Sequence, residues 1–421
     1  MQKKTGITFP KSFLWGASVS AHQVEGGLHN QWTEWEQENA STKAAQSPHQ
    51  FGDLESWDVV SADAKRPGTY ISGRAVGHRE HYEEDFGYLE QLNMNAFRFS
   101  IEWSRVEPEE GVWDAEAIEY YRGYVKSLKK RGIEPVVTLF HFTLPVWFSN
   151  KGGFEKRANV AYFVRYAEKV IRELGISVRY VITINEPEVY VGEGYVEGNW
   201  PPGKTGLYRA WRVQANLILA HKRASRAIHL LNRRYKVSIA KNSPYYYAGD
   251  DAWLSRLSAW WFQYVYDDYL LMRTVKHCDF MSINYYFSNR VYGYRIHNPD
   301  EKVSDLGWDL SPANIQFALE RLHEKYHLPI MITENGLADK DDSQRRWFIT
   351  QTIAAIHEAM RNDVKVIGYL HWSLLDNFEW DKGYWPRFGL VAIDYKTGRR
   401  TMRPSGEWLG GVIGRLRKGN R

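Results

Sequence analysis

Two glutamates close apolar runs in this chain. Glu186 ends Val181-Ile-Thr-Ile-Asn-Glu and Glu334 ends Ile330-Met-Ile-Thr-Glu. A carboxylate at the end of a buried run is costly unless it is paired or used. One such residue is read equally well as a helix cap or the partner of a lysine. Two of them, followed by Pro187 and by Asn335-Gly336, point to a carboxylate pair facing one cavity. Such a pair suits the cleavage of glycosidic bonds. One member protonates the leaving oxygen, and the other attacks as a nucleophile or activates a water. Polar and aromatic groups gather at other run ends too: residues 18–23, residues 98–103, His141, Asn284-Tyr285-Tyr286, and Trp372 leading to Glu379-Trp380.

The elements that must position these groups alternate. Short runs rich in β-branched and aromatic residues occupy 13–20, 96–103, 134–141, 180–186, 237–243, 280–286, 330–334 and 366–372. Most are continuously apolar, as parallel strands buried on both faces are. Helical periodicity fills 115–131, 159–174, 207–232, 312–326 and 343–361, with Gly175 as a C-cap signal and Ser311-Pro312 as an N-cap and first helical residue. Eight β units with intervening helices predict an α/β fold, a closed (β/α)8 TIM barrel over residues 1–421 as one domain. Its active site should lie at the C-terminal ends of the strands, and 415–421 should form a frayed basic tail. An open doubly wound sheet is the rival. The nearest glycine-rich candidate for its phosphate turn, Gly192-Glu-Gly-Tyr-Val-Glu-Gly198, has the wrong spacing and comes late in the chain.

Composition narrows the partners. The net charge of +5 is small for 421 residues, so neither nucleic acid nor a membrane is expected as a partner. With 18 Trp, 27 Tyr and 18 Phe, the chain is aromatic-rich, which serves either a large core or stacking on a ligand's apolar faces. A single cysteine, Cys278, allows no internal disulfide, and no signal peptide or 18-residue apolar run stands out; a cytoplasmic protein is expected. His78 and His81 lack an evident third ligand and are read as a helix entrance, so no metal is expected. Asp250-Asp251 and Asp267-Asp268 are read as surface charge or caps.

The segments around the two glutamates, Thr183-Ile-Asn-Glu-Pro187 and Ile332-Thr-Glu-Asn-Gly336, resemble the two signatures of glycoside hydrolase family 1, the β-glucosidases and their relatives. The resemblance runs nearly end to end. It takes in Phe13-Leu-Trp-Gly-Ala-Ser, Ala21-His-Gln-Val-Glu-Gly26, Phe97-Arg-Phe-Ser-Ile-Glu-Trp-Ser-Arg105, Asn284-Tyr-Tyr286, Trp372-Ser-Leu-Leu-Asp-Asn-Phe-Glu-Trp380 and Arg387-Phe-Gly389. It implies a cofactor-free retaining exo-β-glycosidase acting on a small β-glycoside or oligosaccharide, with Glu186 as acid/base and Glu334 as nucleophile. It implies that Arg98, Asn284 and Tyr286 contact the nucleophile. Gln23, His141, Asn185, Glu379 and Trp380 match the sugar-binding positions, Trp372 the stacking floor and, less specifically, Trp308 the aglycone platform. Relatives acting on 6-phosphoglycosides resemble one another in Ser, Lys and Tyr where this chain has Glu379, Pro386 and Phe388. The expected substrates are therefore unphosphorylated β-glucosides, β-galactosides or β-fucosides. A transglycosidase using the same residues and a non-catalytic sugar-binding barrel are the alternatives.

Two departures bear on specificity: Phe142 after the strand-three histidine, where many members have Trp, and Glu188, where an aromatic is common. The stretch 248–278 is short for a βα unit, which predicts a lower, more open and more mobile rim.

Overall fold

A computed structural model describes residues 8–299 and 301–418. Eight parallel strands close a barrel: β1 (Leu14–Ser18), β2 (Ala96–Ser100), β3 (Glu134–Phe140), β4 (Tyr180–Asn185), β5 (Lys236–Asn242), β6 (Met281–Asn284), β7 (Ile330–Glu334) and β8 (Val366–Trp372). Each pairs with its sequence neighbour, and β1 pairs with both β2 and β8 to seal the ring. Each expected run holds one of these strands. Several strands stop a residue or more short of the expected ends, because the polar residues there leave the ladder to line the site.

Alternation along the strands divides the core. Phe97 and Phe99 of β2 face the helical ring, while Ala96 faces inward. Ala96, Val136, Ile182, Ala240, Phe280, Met331 and Leu370 together plug the lower barrel at 0–2% exposure. One pleat higher the inward positions turn polar: Arg98 Nε donates to Thr138 Oγ1 (3.0 Å), and Ser282 Oγ donates to Thr333 Oγ1 (3.2 Å). Apolar filling below and hydrogen-bonding side chains above make the barrel a floored cup.

The helices follow the sequence closely at Ala115–Lys130, Val160–Leu174, Leu207–Leu231 and Arg345–Arg361. Gly175, at φ +67°, caps its helix through its N–H to Ile171 O. Ser311 stands at the N-cap position with Pro312 after it, as expected, but caps without its side chain. Its Oγ makes no cap bond and instead accepts from the N–H and hydroxyl of Ser288, both at 2.8 Å, while Pro312 opens a 3-10 turn leading into Ile315–Tyr326. Residues 415–418, expected to fray, continue the helix Pro404–Lys418, and Arg417 donates to Asn93 O; 419–421 lie outside the described residues. The helix Gln31–Phe51, with Asn30 and Thr33 in a reciprocal capping box, was not foreseen. Among the described residues no helix is long and apolar enough to cross a membrane.

The lean 248–278 unit is helical from Trp253 to Thr274, with one π-helical stretch at Tyr264–Asp268. Asp267 and Asp268 are not surface charges. Both are buried, Asp267 against Arg321 and Asp268 against Arg321 (2.9 Å) and Lys325 (2.7 Å). Asp250 and Asp251 are exposed, as expected. His78 opens the helix His78–Gln91 and is buried between Asp85 and Tyr124, with 2.7 Å contacts to each.

Candidate active site

Both strands that deliver a glutamate break their pleat just before it. On β7, Ile330 and Ile332 face the outer core and Met331 the barrel interior, and continuing that alternation would turn Glu334 outward. The register against β6 shifts between Ile332 and Glu334. On β4 the register against β5 shifts between Ile182 and Asn185, and Glu186 then takes a left-handed backbone at φ +37°. Such irregularities re-aim side chains near active sites. Here they bring both carboxylates to one cavity of about 240 Å³ at the strand C-terminal ends.

Glu334 is clamped from two sides. Arg98, buried on β2, pairs with Oε1 and also donates to Thr333 O (3.3 Å), while the Tyr286 hydroxyl donates to Oε2 at 2.6 Å. Burial and the neighbouring Glu334 and Glu186 charges push the Tyr286 phenol well above its ordinary range, so it stays a donor.

Asn284 departs from the expectation that it meets the nucleophile. Thr333 Oγ1 donates to its Oδ1 (2.7 Å), which leaves its amide to donate to Glu186 Oε1 at 2.7 Å and to Asn185 Oδ1 at 3.2 Å. It therefore orients the other carboxylate. Burial, then the charge of Glu334, then that of Glu188, push the Glu186 carboxyl well above the usual carboxylate range.

The sugar-facing groups form a second constellation. Arg98 Nη2 donates to Asn185 Oδ1 (2.7 Å), which turns the Asn185 amide toward His141 Nε2 (3.2 Å). A guanidinium only donates, so Nε2 must accept and His141 carries its proton on Nδ1, which finds no protein partner. Burial, Arg98 and His22 keep this imidazole neutral by pushing its pKa well below the ordinary value. Its ring runs nearly parallel to Trp372 and Trp380, with centroids 5.9 Å from each. Glu379 is half-buried beside them, and desolvation and the Glu334 charge push it up to about 8.

Of the twelve expected residues, nine line the cavity; Gln23, Arg98 and Asn284 stand behind it. Gln23 takes a hydrogen bond from Ser20 (2.6 Å) and donates to Phe378 O (2.7 Å), Asn377 (3.1 Å) and Glu379 (3.4 Å). It holds the Glu379 loop in place. Trp308 lines the mouth, edge-on to Tyr286 at 5.5 Å. Gly336 serves the same geometry, because a Cβ there would lie 1.8 Å from Trp372 O.

Two features escaped sequence reasoning. Lys382 lines the cavity although no lysine was expected there; its ammonium is committed to Asp381 (2.7 Å), which also meets Lys43 and Trp200 Nε1. Lys241 of β5, with its side chain 1% exposed, meets Glu188 at 3.0 Å and Asp267 at 3.9 Å. A lysine inside an apolar strand run was the available signal. Glu188 also accepts from Asn242 N (2.7 Å), so the acidic departure beside Glu186 is the half-buried partner of a buried lysine.

The chain matches the model of Glycosyl hydrolase family 1 over residues 5–260 and 265–417. Beta-glucosidase A of Acetivibrio thermocellus is 30% identical across an alignment of 460 positions, gaps included, that covers 97% of this chain and 98% of that protein. The solved β-glycosidase from Pyrococcus horikoshii superimposes with a TM-score of 0.85 at 35% identity, covering 97% of this chain and 95% of that one. The β-glucosidase from Thermotoga maritima in complex with glucoimidazole gives 0.84 at 27% identity, covering 98% and 100%. With the barrel, the paired carboxylates and these likenesses together, the chain belongs to glycosyl hydrolase family 1 and is a β-glycosidase.

Proposed function

We propose that the protein hydrolyses unphosphorylated β-D-glucosides, β-D-galactosides or β-D-fucosides from the non-reducing end, with retention of anomeric configuration. The observation that carries this reading is the division of labour between the two glutamates. Glu334 is gripped by a cation and a phenol, and Glu186 beside it is driven toward its protonated form.

A Glu334 oxygen attacks the anomeric carbon as the glycosidic C–O bond breaks, and Glu186 passes its proton to the leaving oxygen. The ester formed removes the Glu334 charge, so Glu186 ionises more readily. Water then attacks the anomeric carbon, Glu186 takes the water's proton, and Glu334 departs as a carboxylate. His141 Nδ1–H, Asn185, Glu379 and Trp380 Nε1 supply donors and acceptors for the sugar hydroxyls, and Trp372 supplies a ring face. Glu379 stands where a 6-phosphate would need a cation, and the Lys382 ammonium is held by Asp381 at 2.7 Å. The β-glucosidase names of the relatives support a glucoside as substrate. The single cysteine fits a reducing compartment such as the cytoplasm.

The test is hydrolysis of 4-nitrophenyl β-D-glucoside and β-D-galactoside by the wild type and by Glu334→Ala, with and without azide. Turnover lost in the variant and returned by azide, with an inverted glycosyl azide as product, is the expected result. Wild-type protein that binds sugar but turns over neither substrate would overturn the reading.

A further inference from the structure

The helix Trp253–Gln263 and the π-helical stretch after it are inside out. A surface helix ordinarily buries its apolar stripe and shows water its polar one. Here the inward residues are Ser255, Ala259 and Gln263. Ser255 Oγ accepts from Gly293 N (2.7 Å), and Gln263 bonds Tyr246 N (2.9 Å) and Asp267 (3.1 Å). The outward stripe is Trp253 (74% exposed), Leu254, Leu257 (51%), Trp260 (61%), Trp261 (52%) and Val265. The spacings i, i+4, i+7 and i+8 place these side chains on one face. The Asp267–Arg321 and Asp268–Lys325 pairs tie the end of this segment to the helix Ile315–Tyr326, with the stripe turned toward solvent.

We propose that this stripe is the interface of a two-fold symmetric dimer, helix packed antiparallel on helix. The area is sufficient. An interface of standard size takes ~800 Å² from each partner and is about 60% apolar, a need of roughly 500 Å². At ~150–250 Å² per aromatic ring, the exposed parts of the three tryptophans with Leu254, Leu257 and Val265 supply on the order of 600 Å².

The charges are self-complementary. Asp250 and Asp251 stand exposed before the stripe, Asp251 beside Arg256 at 2.6 Å, and Arg273 and Lys276 stand exposed after it. A two-fold axis through the middle brings each acidic end toward the partner's basic end. Residues 253–273 contain no lysine and no glutamate. Trp and Arg with little Lys or Glu is the composition of protein interfaces. Attachment to an anionic bilayer draws on clustered lysine and arginine around the apolar patch, and residues 249–273 set Arg256 and Arg273 against the exposed Asp250 and Asp251.

The experiment is sedimentation velocity of the full chain across micromolar concentrations, alone and with phosphatidylglycerol/phosphatidylethanolamine vesicles. A dimer is expected, with association at least ~100-fold weaker in Trp260→Glu/Trp261→Glu at unchanged hydrolysis. Trp253→Lys, whose ring is largely free in the monomer, weakens it as well and guards against a variant that does not fold. A wild type that stays monomeric, a dimer untouched in both variants, or a monomer that floats with the vesicles would each overturn the proposal.

Discussion

Replacing Lys241 with methionine removes the one cation that stands between Glu188 and Asp267. The side chain is 1% exposed, and methionine fills most of its length, so packing changes little and charge changes most. Asp267 keeps Arg321, but Glu188, its side chain 20% exposed, is left with the Asn242 N–H in place of the ammonium. Breaking a buried pair from one side costs ~3–5 kcal/mol. At roughly 2.1 cal/mol/K of unfolding entropy per residue, 421 residues make ~1 kcal/mol worth about 1 °C, so Tm should fall by about 3–5 °C. Burial raises the Glu188 carboxyl already, and Lys241 opposes that rise. Without the lysine the folded pKa climbs further. A carboxyl with a raised folded pKa favours the fold below its unfolded pKa, and this contribution is lost as pH rises through the folded value. The deficit of Lys241→Met is therefore largest in mild base and shrinks in mild acid. Adding Glu188→Gln removes the orphaned charge and recovers much of the loss. Scanning calorimetry of the two single variants and the double variant at two pH values measures all of this. A Lys241→Met protein that melts with the wild type, or a deficit that ignores pH, refutes the reasoning.

Glu188→Gln alone acts on Glu186. The Glu188 charge raises that carboxyl and Lys241 lowers it, so neutralising Glu188 should move the alkaline limb of kcat/KM to lower pH; a limb that stays or rises contradicts the assignment of Glu186 as the acid. Tyr286→Phe deletes a 2.6 Å bond to a carboxylate, worth ~1.5–3 kcal/mol, and should cost about 10- to 150-fold in kcat/KM with the melting temperature nearly kept. Undiminished turnover would detach Tyr286 from the reaction. Gly336→Ala drives a Cβ into the Trp372 carbonyl, a backbone atom that cannot swing aside, and should cost ~3 kcal/mol or more together with most activity. A variant indistinguishable from wild type in melting and rate would show that the two strand ends can part.

The barrel was readable because parallel strands buried on both faces leave unbroken apolar runs, and runs such as 330–334 and 366–372 carry no competing helical period. Their far ends were readable because a glutamate or arginine closing such a run has no cheap explanation. What stayed hidden depends on pairing between strands. No residue type announces the shifts before Asn185 and Glu334, since they arise in register against β5 and β6. Asn284 was assigned to the wrong carboxylate because its amide orientation is set by Thr333, a neighbour in space on another strand. Asp267 and Asp268 passed as surface charge because their partners, Arg321 and Lys325, lie over fifty residues away in sequence. Lys241, which meets Asp267 at 3.9 Å, stands inside an apolar strand, and a charge in that position is the available clue.

The plugged barrel floor sets the traffic of the reaction. With Ala96, Val136, Ile182, Ala240, Phe280, Met331 and Leu370 sealing the lower end, whatever enters from the strand C-terminal side must go back by the same door. The two halves of a substrate then leave in a forced order. In the proposed double displacement the outer half departs first, and the sugar, lodged deeper, departs only after a water has followed it in. Until it does, the next substrate waits outside, so accumulating sugar competes for the doorway itself.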